Sequence, residues 1–388
     1  MARFRLRLER KKKVLKFDKG KNPKDLVKQP ITEDYLPYLE ADYFRTGKPS
    51  QFALPNGVKI ANNDDLIMIF DGSKSGEIFR NNRKGIVAST MVKLLFDKEK
   101  YDSYYIQYFI QYYFLKLNDG TTGSGIPHLN QETFFGLQLP NYKPKQQEAV
   151  ASEIKSKLVL VEQMRQAALK QKEAVEGMQG ALLREVFPFK EGDELPKGWK
   201  WEKLEKIFEE VKNQVQPYED EFKTLPFVGL ENVVSHTREY TDEEYNPPAS
   251  TCFKFDETNI LYGKLRPYLN KVYLPTGKGK SSMELIPLKT KNNYSREFLA
   301  AVLQSEAVIG DTVKFSTGGR MPRADLKKLK KLEVAIPSDI SICNDLGISV
   351  SKKIKEFIDL TKKSLTQLEA IEALPAAILR EVFEFNKN

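Results

Sequence analysis

Two stretches of the chain carry a small or apolar residue at every seventh position. In the first these are Ile154, Val161, Ala168, Val175 and Leu182, and in the second Val350, Phe357, Ser364, Ile371 and Ile378, each 196 residues later. A companion line repeats with its character kept, polar positions included. Lys157, Met164, Gln171, Met178 and Glu185 become Lys353, Leu360, Gln367, Leu374 and Glu381. A sustained seven-residue period predicts a coiled-coil seam, and the dense Lys, Glu and Gln elsewhere predict solvated outer faces. About 44 residues at 1.5 Å each make a helix of about 65 Å. Pro375 lies inside the second seam and predicts a kink. Gly177 and Gly180 loosen the first near the matching place.

The segments before these helices, about 28–140 and 195–337, have another pattern. They are rich in aromatics, Gly, Pro and short β-branched runs. Strands are predicted at Leu66–Phe70, Val87–Leu95, Lys271–Leu274 and Glu284–Leu288, and helices near Tyr104–Phe114 and Arg296–Val308. Each segment therefore reads as a mixed α+β globule.

The duplication extends beyond the seams. Ala181-Leu-Leu-Arg-Glu-Val-Phe187 returns as Ala377-Ile-Leu-Arg-Glu-Val-Phe383. Asp65-Leu-Ile-Met matches Asn259-Ile-Leu-Tyr, Lys84-Gly85 matches Lys278-Gly279, and Pro127 matches Pro322. Offsets drift by a few residues, as loop insertions would cause. A period near 190 residues is too long for a solenoid unit and indicates a duplicated domain. The predicted fold is α+β: two similar domains, 1–141 and 190–337, each followed by a long helix, 142–189 and 338–388. If a pseudo-two-fold axis relates the halves, the helices pair as an antiparallel coiled coil.

Charge changes the picture less than its total suggests. Lys and Arg number 62 and Asp and Glu 53, a net +9. Residues 1–28 hold twelve bases and three acids, so the rest of the chain is balanced at 50 of each. For that basic arm two readings stand open, a tail touching phosphates and a solubility arm. Cys252 and Cys343 are isolated and His128 and His236 far apart, which disfavours a disulfide framework, a structural zinc site and a Ser/His/Asp or Cys/His catalytic set. The longest apolar run, Leu66–Phe70, is far too short for a membrane span, and the charged N-terminus lacks an apolar signal core. A cytoplasmic protein is expected.

Several motifs invite catalysis and fail. Asn246-Pro247-Pro248 resembles the motif with which adenine amino-methyltransferases hold the target amino group. Here Ala249 replaces the stacking aromatic, and Asp242, Glu243 and Glu244 make the segment an acidic turn. Gly277-Lys-Gly-Lys-Ser281 resembles the end of a phosphate-binding loop, but Leu274 stands where its first Gly is needed. Gly123-Ser-Gly125 and Gly318-Gly319 lead to prolines rather than helix starts. What remains is a set of basic loops at matching places in both halves. Ser73–Lys84 includes Ser73, Lys74, Arg80, Arg83 and Lys84. Leu261–Ser282 holds Lys264, Arg266, Lys271, Lys278 and Lys280 with no acid, and interleaves Tyr268. Asp311–Lys331 holds seven bases, among them Arg320 and Arg323. Lys and Arg neutralise phosphates, and Arg can read base edges bidentately.

The order globule, helix, globule, helix resembles the specificity subunit of a type I DNA restriction–modification system. So do Leu195-Pro-Lys-Gly-Trp199, Asn259-Ile-Leu-Tyr-Gly-Lys-Leu-Arg-Pro-Tyr268, Ser316-Thr-Gly-Gly-Arg-Met-Pro-Arg323 and the Leu-Arg-Glu-Val-Phe helix ends. The resemblance spans about residues 30–385. It implies that each globule is a target-recognition domain reading one half of a split double-stranded DNA sequence. It implies that the helices set the gap and dock two methyltransferase subunits, which bind S-adenosylmethionine and methylate adenine. Restriction or translocase subunits are further partners, and the chain itself is neither catalytic nor cofactor-binding. By position, Asp71-Gly-Ser-Lys-Ser-Gly76 and Gly123-Ser-Gly-Ile-Pro-His128 are the recognition loops of the first domain, His128 included. Tyr262–Lys271 and Thr317–Arg323 are those of the second. The first half lacks the Leu-Pro-x-Gly-Trp opening and has the basic arm there instead. The competing readings are a self-contained adenine methyltransferase built on Asn246, and a coiled-coil scaffold that does not touch DNA.

Overall fold

The computed structural model describes residues 3–5, 7–8, 12–121, 127–140, 142–241 and 249–384. It divides into two compact units, residues 1–167 with 369–388, and residues 168–368.

The globule of the first unit runs β1 (Arg3–Arg5), β2 (Arg7–Leu8), β3 (Lys12–Lys13), β4 (Lys16–Lys19), β5 (Leu36–Leu39), α1 (Ala41–Thr46), β6 (Phe52–Ala53), β7 (Ile60–Ala61) and β8 (Leu66–Ile69). It continues with β9 (Ile78–Arg80), β10 (Gly85–Val87), β11 (Met91–Leu95), α2 (Ser103–Asp119), α3 (Gln131–Gly136) and β12 (Gln138–Pro140), and leads into the long helix α4 (Pro144–Val186). One sheet has the order β4-β11-β8-β9 and the other β6-β5-β10-β7. All four residues of β8 are buried, which is why its apolar run is continuous rather than alternating. The predicted strand Val87–Leu95 is two strands in different sheets, broken by a turn in which Met91 N donates to Ala88 O. Helix α2 begins where the Asp102 carboxylate accepts from Tyr105 N at 2.8 Å, satisfying an N-terminal donor. It buries Tyr105, Ile106, Phe109 and Ile110.

The second unit continues α4 into β13 (Trp199–Lys203), α5 (Leu204–Ile207), β14 (Phe208–Glu210), β15 (Gln214–Val215), α6 (Asp220–Thr224), β16 (Phe227–Val228), β17 (Cys252–Phe255), β18 (Ile260–Gly263), β19 (Val272–Tyr273) and β20 (Gly279–Ser281). Then follow β21 (Leu285–Thr290), α7 (Arg296–Leu303), α8 (Glu306–Lys314), α9 (Leu326–Lys331), β22 (Glu333–Pro337) and the second long helix α10 (Ile340–Phe383). Its sheets, β14-β21-β18-β19 and β15-β17-β20-β16, repeat the first domain's plan. In each domain a central strand pairs in parallel on one side and antiparallel on the other. Ile86 of β10 lies between Tyr38 and Ile60, and Lys280 of β20 between Phe227 and Lys254. Only the fourth strand differs, β6 adding to β5 but β15 to β17. The matched glycines before these strands have a steric reason. A Cβ on Gly85 would lie 2.7 Å from the Leu39 side chain, and one on Gly279 would lie 2.4 Å from the Phe255 ring. The single helix α2 corresponds to two helices in the second domain, because Ser305 caps a new start at α8.

The basic arm begins as part of the first domain's sheet structure. Strand β1 pairs antiparallel with β12, Arg3 opposite Pro140, as β13 pairs with β22, Trp199 opposite Pro337. It takes the place of the Leu-Pro-x-Gly-Trp opening that the first half lacks.

Within each unit the long helices run antiparallel. In the first, Ile154 and Leu158 near the start of α4 share a core with Ile378, Leu379 and Phe383 at the end of α10, and Lys157 Nζ lies 3.4 Å from the Glu381 carboxylate. In the second, Leu182 and Leu183 at the end of α4 pack with Val350 and Ile354 near the start of α10. The repeated Leu-Arg-Glu-Val-Phe motif is thereby explained. Phe383 enters the aromatic cluster of Tyr105 and Phe109, centroids 5.6 and 5.7 Å away, and Phe187 packs on Phe298 at 6.2 Å. The first predicted seam line is buried from Ile154 to Leu182. The companion line faces outward instead, with Met164, Met178 and Leu360 exposed. Its place is taken by Ala151, Leu158, Arg165, Lys172 and Gln179, all buried or half-buried. Helix α10 continues through Pro375 without interruption.

Candidate nucleic-acid interface

The matched loops are built by the same backbone bonds in both domains. After β8, Phe70 N donates to Thr90 O, Gly72 N to Pro127 O at 2.7 Å, and Leu129 N to Phe70 O. After β18, Lys264 N donates to Glu284 O, Arg266 N to Pro322 O at 2.7 Å, and Ala324 N to Lys264 O. Each loop is thus sewn to a segment one proline before a short capped helix. The Asn130 side chain caps α3 through Glu132 N and Thr133 N, and the Asp325 side chain caps α9 through Lys327 N and Lys328 N. At this shared position both residues have positive φ, Gly72 at 130° and Arg266 in the left-handed region at 51°. A non-glycine residue there costs about 1–2 kcal/mol.

The pairing brings polar and basic side chains to a carboxylate in each domain. In the first, Asp71 holds Lys19 Nζ at 2.9 Å and His128 Nδ1 at 2.6 Å. In the second, Glu284 accepts from Arg323 Nε at 3.0 Å, and Lys264 Nζ lies 3.8 Å away. Glu284 Oε2 and Arg266 Nε are buried with no hydrogen-bond partner among the described residues.

The other expected contacts divide by exposure. Ser73 and Lys74 stand exposed at the tip of the first loop, whose backbone is braced by Asn118 Nδ2 donating to Ser73 O at 2.8 Å. Arg83 and Lys84 occupy the turn between β9 and β10, and Lys278 the equivalent turn between β19 and β20, all exposed. Tyr268 is 45% exposed on the short 3-10 turn Pro267–Leu269. Arg320 is exposed on the turn closed by Thr317 and Arg323, where Gly318 takes φ 95°.

Three expected contacts are structural instead. Lys280 is 4% exposed on β20, its ammonium donating to Phe222 O and lying 4.1 Å from that residue's ring centre. Arg80 is half-buried against α2, bonded to Gln107 and Ser103, with its guanidinium 3.6 Å from the Tyr104 ring centre. Lys271 donates to Leu230 O at 2.8 Å, and burial pushes its ammonium pKa down. Sequence reading missed Lys19, and did not single out Asp71 and Glu284 as anchors. The signal available was an acid inside or beside an otherwise basic loop. The residues Gly123–Gly125 and Asn246–Pro248 lie outside the described residues. Among the described residues no cluster of His, Cys, Asp and Glu could hold a metal ion, and no helix is long and apolar enough to cross a membrane.

No family model matches the chain. It is 25% identical over 390 residues to the type I restriction enzyme MjaVIII specificity subunit of Methanocaldococcus jannaschii, covering 91% of this chain and 89% of that one. Its fold matches a chain of a type I R-M system solved to describe complex assembly and conformational transition. The TM-score is 0.69 and the identity 15%, over 90% of this chain and 91% of that one. It also matches the HsdS subunit from Thermoanaerobacter tengcongensis, with TM-score 0.58 and 14% identity, over 96% of this chain and 97% of that one. By sequence over nearly its whole length, and by fold, the chain is a relative of type I restriction enzyme specificity subunits.

Proposed function

We propose that this chain is the non-catalytic, sequence-specific DNA recognition subunit of a type I restriction–modification enzyme. Residues 1–141 and 190–337 are its two target-recognition domains, each reading one half of a bipartite double-stranded site. The paired helices dock two methyltransferase subunits, which bring S-adenosylmethionine, and restriction or translocase subunits join the same cytoplasmic assembly. The observation that carries the reading is the loop built twice by one set of backbone bonds, Gly72 to Pro127 and Arg266 to Pro322, with exposed cations around it. Phosphates are met by Lys74, Arg83, Lys84, Lys278 and Arg320, for which no carboxylate partner is found among the described residues. Tyr268 offers an exposed ring beside them.

The test is adenine methylation of duplex DNA by the purified chain with and without its methyltransferase subunit. Methylation is expected only with both, and DNA affinity of the pair is expected to fall steeply with salt, as phosphate contacts require. Methylation by the chain alone would sink the reading.

A further inference from the structure

Arg323 supports an inference that rests on the DNA-recognition reading and narrows it to one side chain and one base. Its backbone is fixed from two sides, bridging Thr317 in both directions and Leu265 across the loop. Its side chain is 47% exposed, yet Nε is tied to Glu284 Oε1 at 3.0 Å. Nη1 and Nη2 have no hydrogen-bond partner among the described residues. A guanidinium held by Nε presents its two terminal nitrogens as a fixed fork.

The same carboxylate decides what the fork meets. A phosphate approaching Arg323 also approaches Glu284, which lies beside Lys264 as well. Glu284 offsets part of the charge of Arg323 and Lys264, so this corner attracts a phosphate less than Lys278 or Arg320, which have no carboxylate partner among the described residues. A base edge carries no net charge, so the offset costs it less. Guanine alone presents two acceptors, O6 and N7, spaced for two parallel N–H donors in the major groove.

The first domain supports the same logic with other residues. His128 stands where the second domain has Arg323, and Asp71 holds its Nδ1. The acids come from different places. Asp71 lies in the turn itself, whereas Glu284 occupies the position of Thr90, whose carbonyl accepts from the first loop. Two domains with different sequences thus arrive at an exposed polar side chain steadied by a carboxylate at one position.

We propose that Arg323 reads a guanine in the second half-site through Nη1 and Nη2, and that Glu284 is the positioning residue that aims it. The experiment uses the full chain assembled with its methyltransferase subunit and a pool of duplexes randomised in both half-sites, with bound duplexes sequenced. Wild type is expected to select a guanine at one position of the second half-site. Arg323→Ala abolishes that selection, and Arg323→Lys does not restore it, because one ammonium cannot make two parallel bonds. Glu284→Gln weakens the preference about tenfold. Selection at the first half-site stays unchanged in all three variants, which also reports an intact fold. Full guanine preference in Glu284→Gln or Arg323→Lys overturns the proposal, and so does loss of selection in both halves. A wild-type complex selecting no sequence in either half overturns the recognition reading beneath it. Clean selection in both halves that ignores Arg323 overturns only this inference.

Discussion

Lys280 stands on a central strand where the first domain has Ile86. An ammonium removed from water costs several kcal/mol unless it is hydrogen-bonded and compensated. Here the Phe222 carbonyl and ring supply the compensation. Lys280→Ala should therefore destabilise the chain by about 2 kcal/mol, through the cavity and the lost hydrogen bond. It should leave the salt dependence of DNA affinity unchanged, since the ammonium never reaches the surface. Chemical denaturation and salt-titrated binding check the two halves of this prediction. Counting charge in a window placed Lys280, Lys271 and Arg80 beside Lys278 and Arg320. Such a count registers charge but not which way a strand or turn aims it. Glu284 shows the converse: an acid next to a basic window looks like a defect, yet it organises Arg323 and Lys264.

At the scale of elements, periodicity located both long helices to within a few residues but misassigned half of each seam. The line through Ile154 and Leu182 is buried, because a seven-residue apolar repeat keeps returning to one face. The repeat of character across the halves points to the line through Met164 and Met178 as the second. The contacts favour the line through Ala151 and Leu158 instead, whose polar members Arg165 and Lys172 conceal it from a hydrophobic pattern. Gly347 is the counterpart of Ala151 on α10. A Cβ there would lie 2.3 Å from Phe298 N of α7. Ala raises helix propensity by about 1 kcal/mol over Gly, yet Gly347→Ala should cost about 2 kcal/mol by forcing the two helices apart. A higher melting temperature for this variant would show that α10 does not rest on α7 as described. The Leu-Arg-Glu-Val-Phe ends were legible as a repeat, but their purpose was not. Phe187 and Phe383 each lock a helix terminus into the aromatic core of the globule beside it.

For the whole molecule, the proposed function makes the long helices a ruler between two half-sites. One heptad added to both long helices, beside Ala168 and Ser364, lengthens each by about 10 Å. The preferred gap between half-sites should grow by about three base pairs, with each half-site sequence unchanged. Sequencing of methylated sites checks this, and an unchanged gap would mean that the helices do not set the spacing. The sequence by itself determined the duplication, the order of globule and helix, the seven-residue seam and the positions of the two matched loops. These are written in local spacing and in the chain's likeness to itself, which need no knowledge of what touches what. Tertiary structure alone decided that the basic arm contributes a strand to the first domain. It decided that Lys280 is buried against Phe222, and that His128 and Arg323 each stand on a carboxylate. Each of these depends on a partner brought up by strand register or loop closure from tens of residues away or more, and no pattern within a short window of sequence records that meeting.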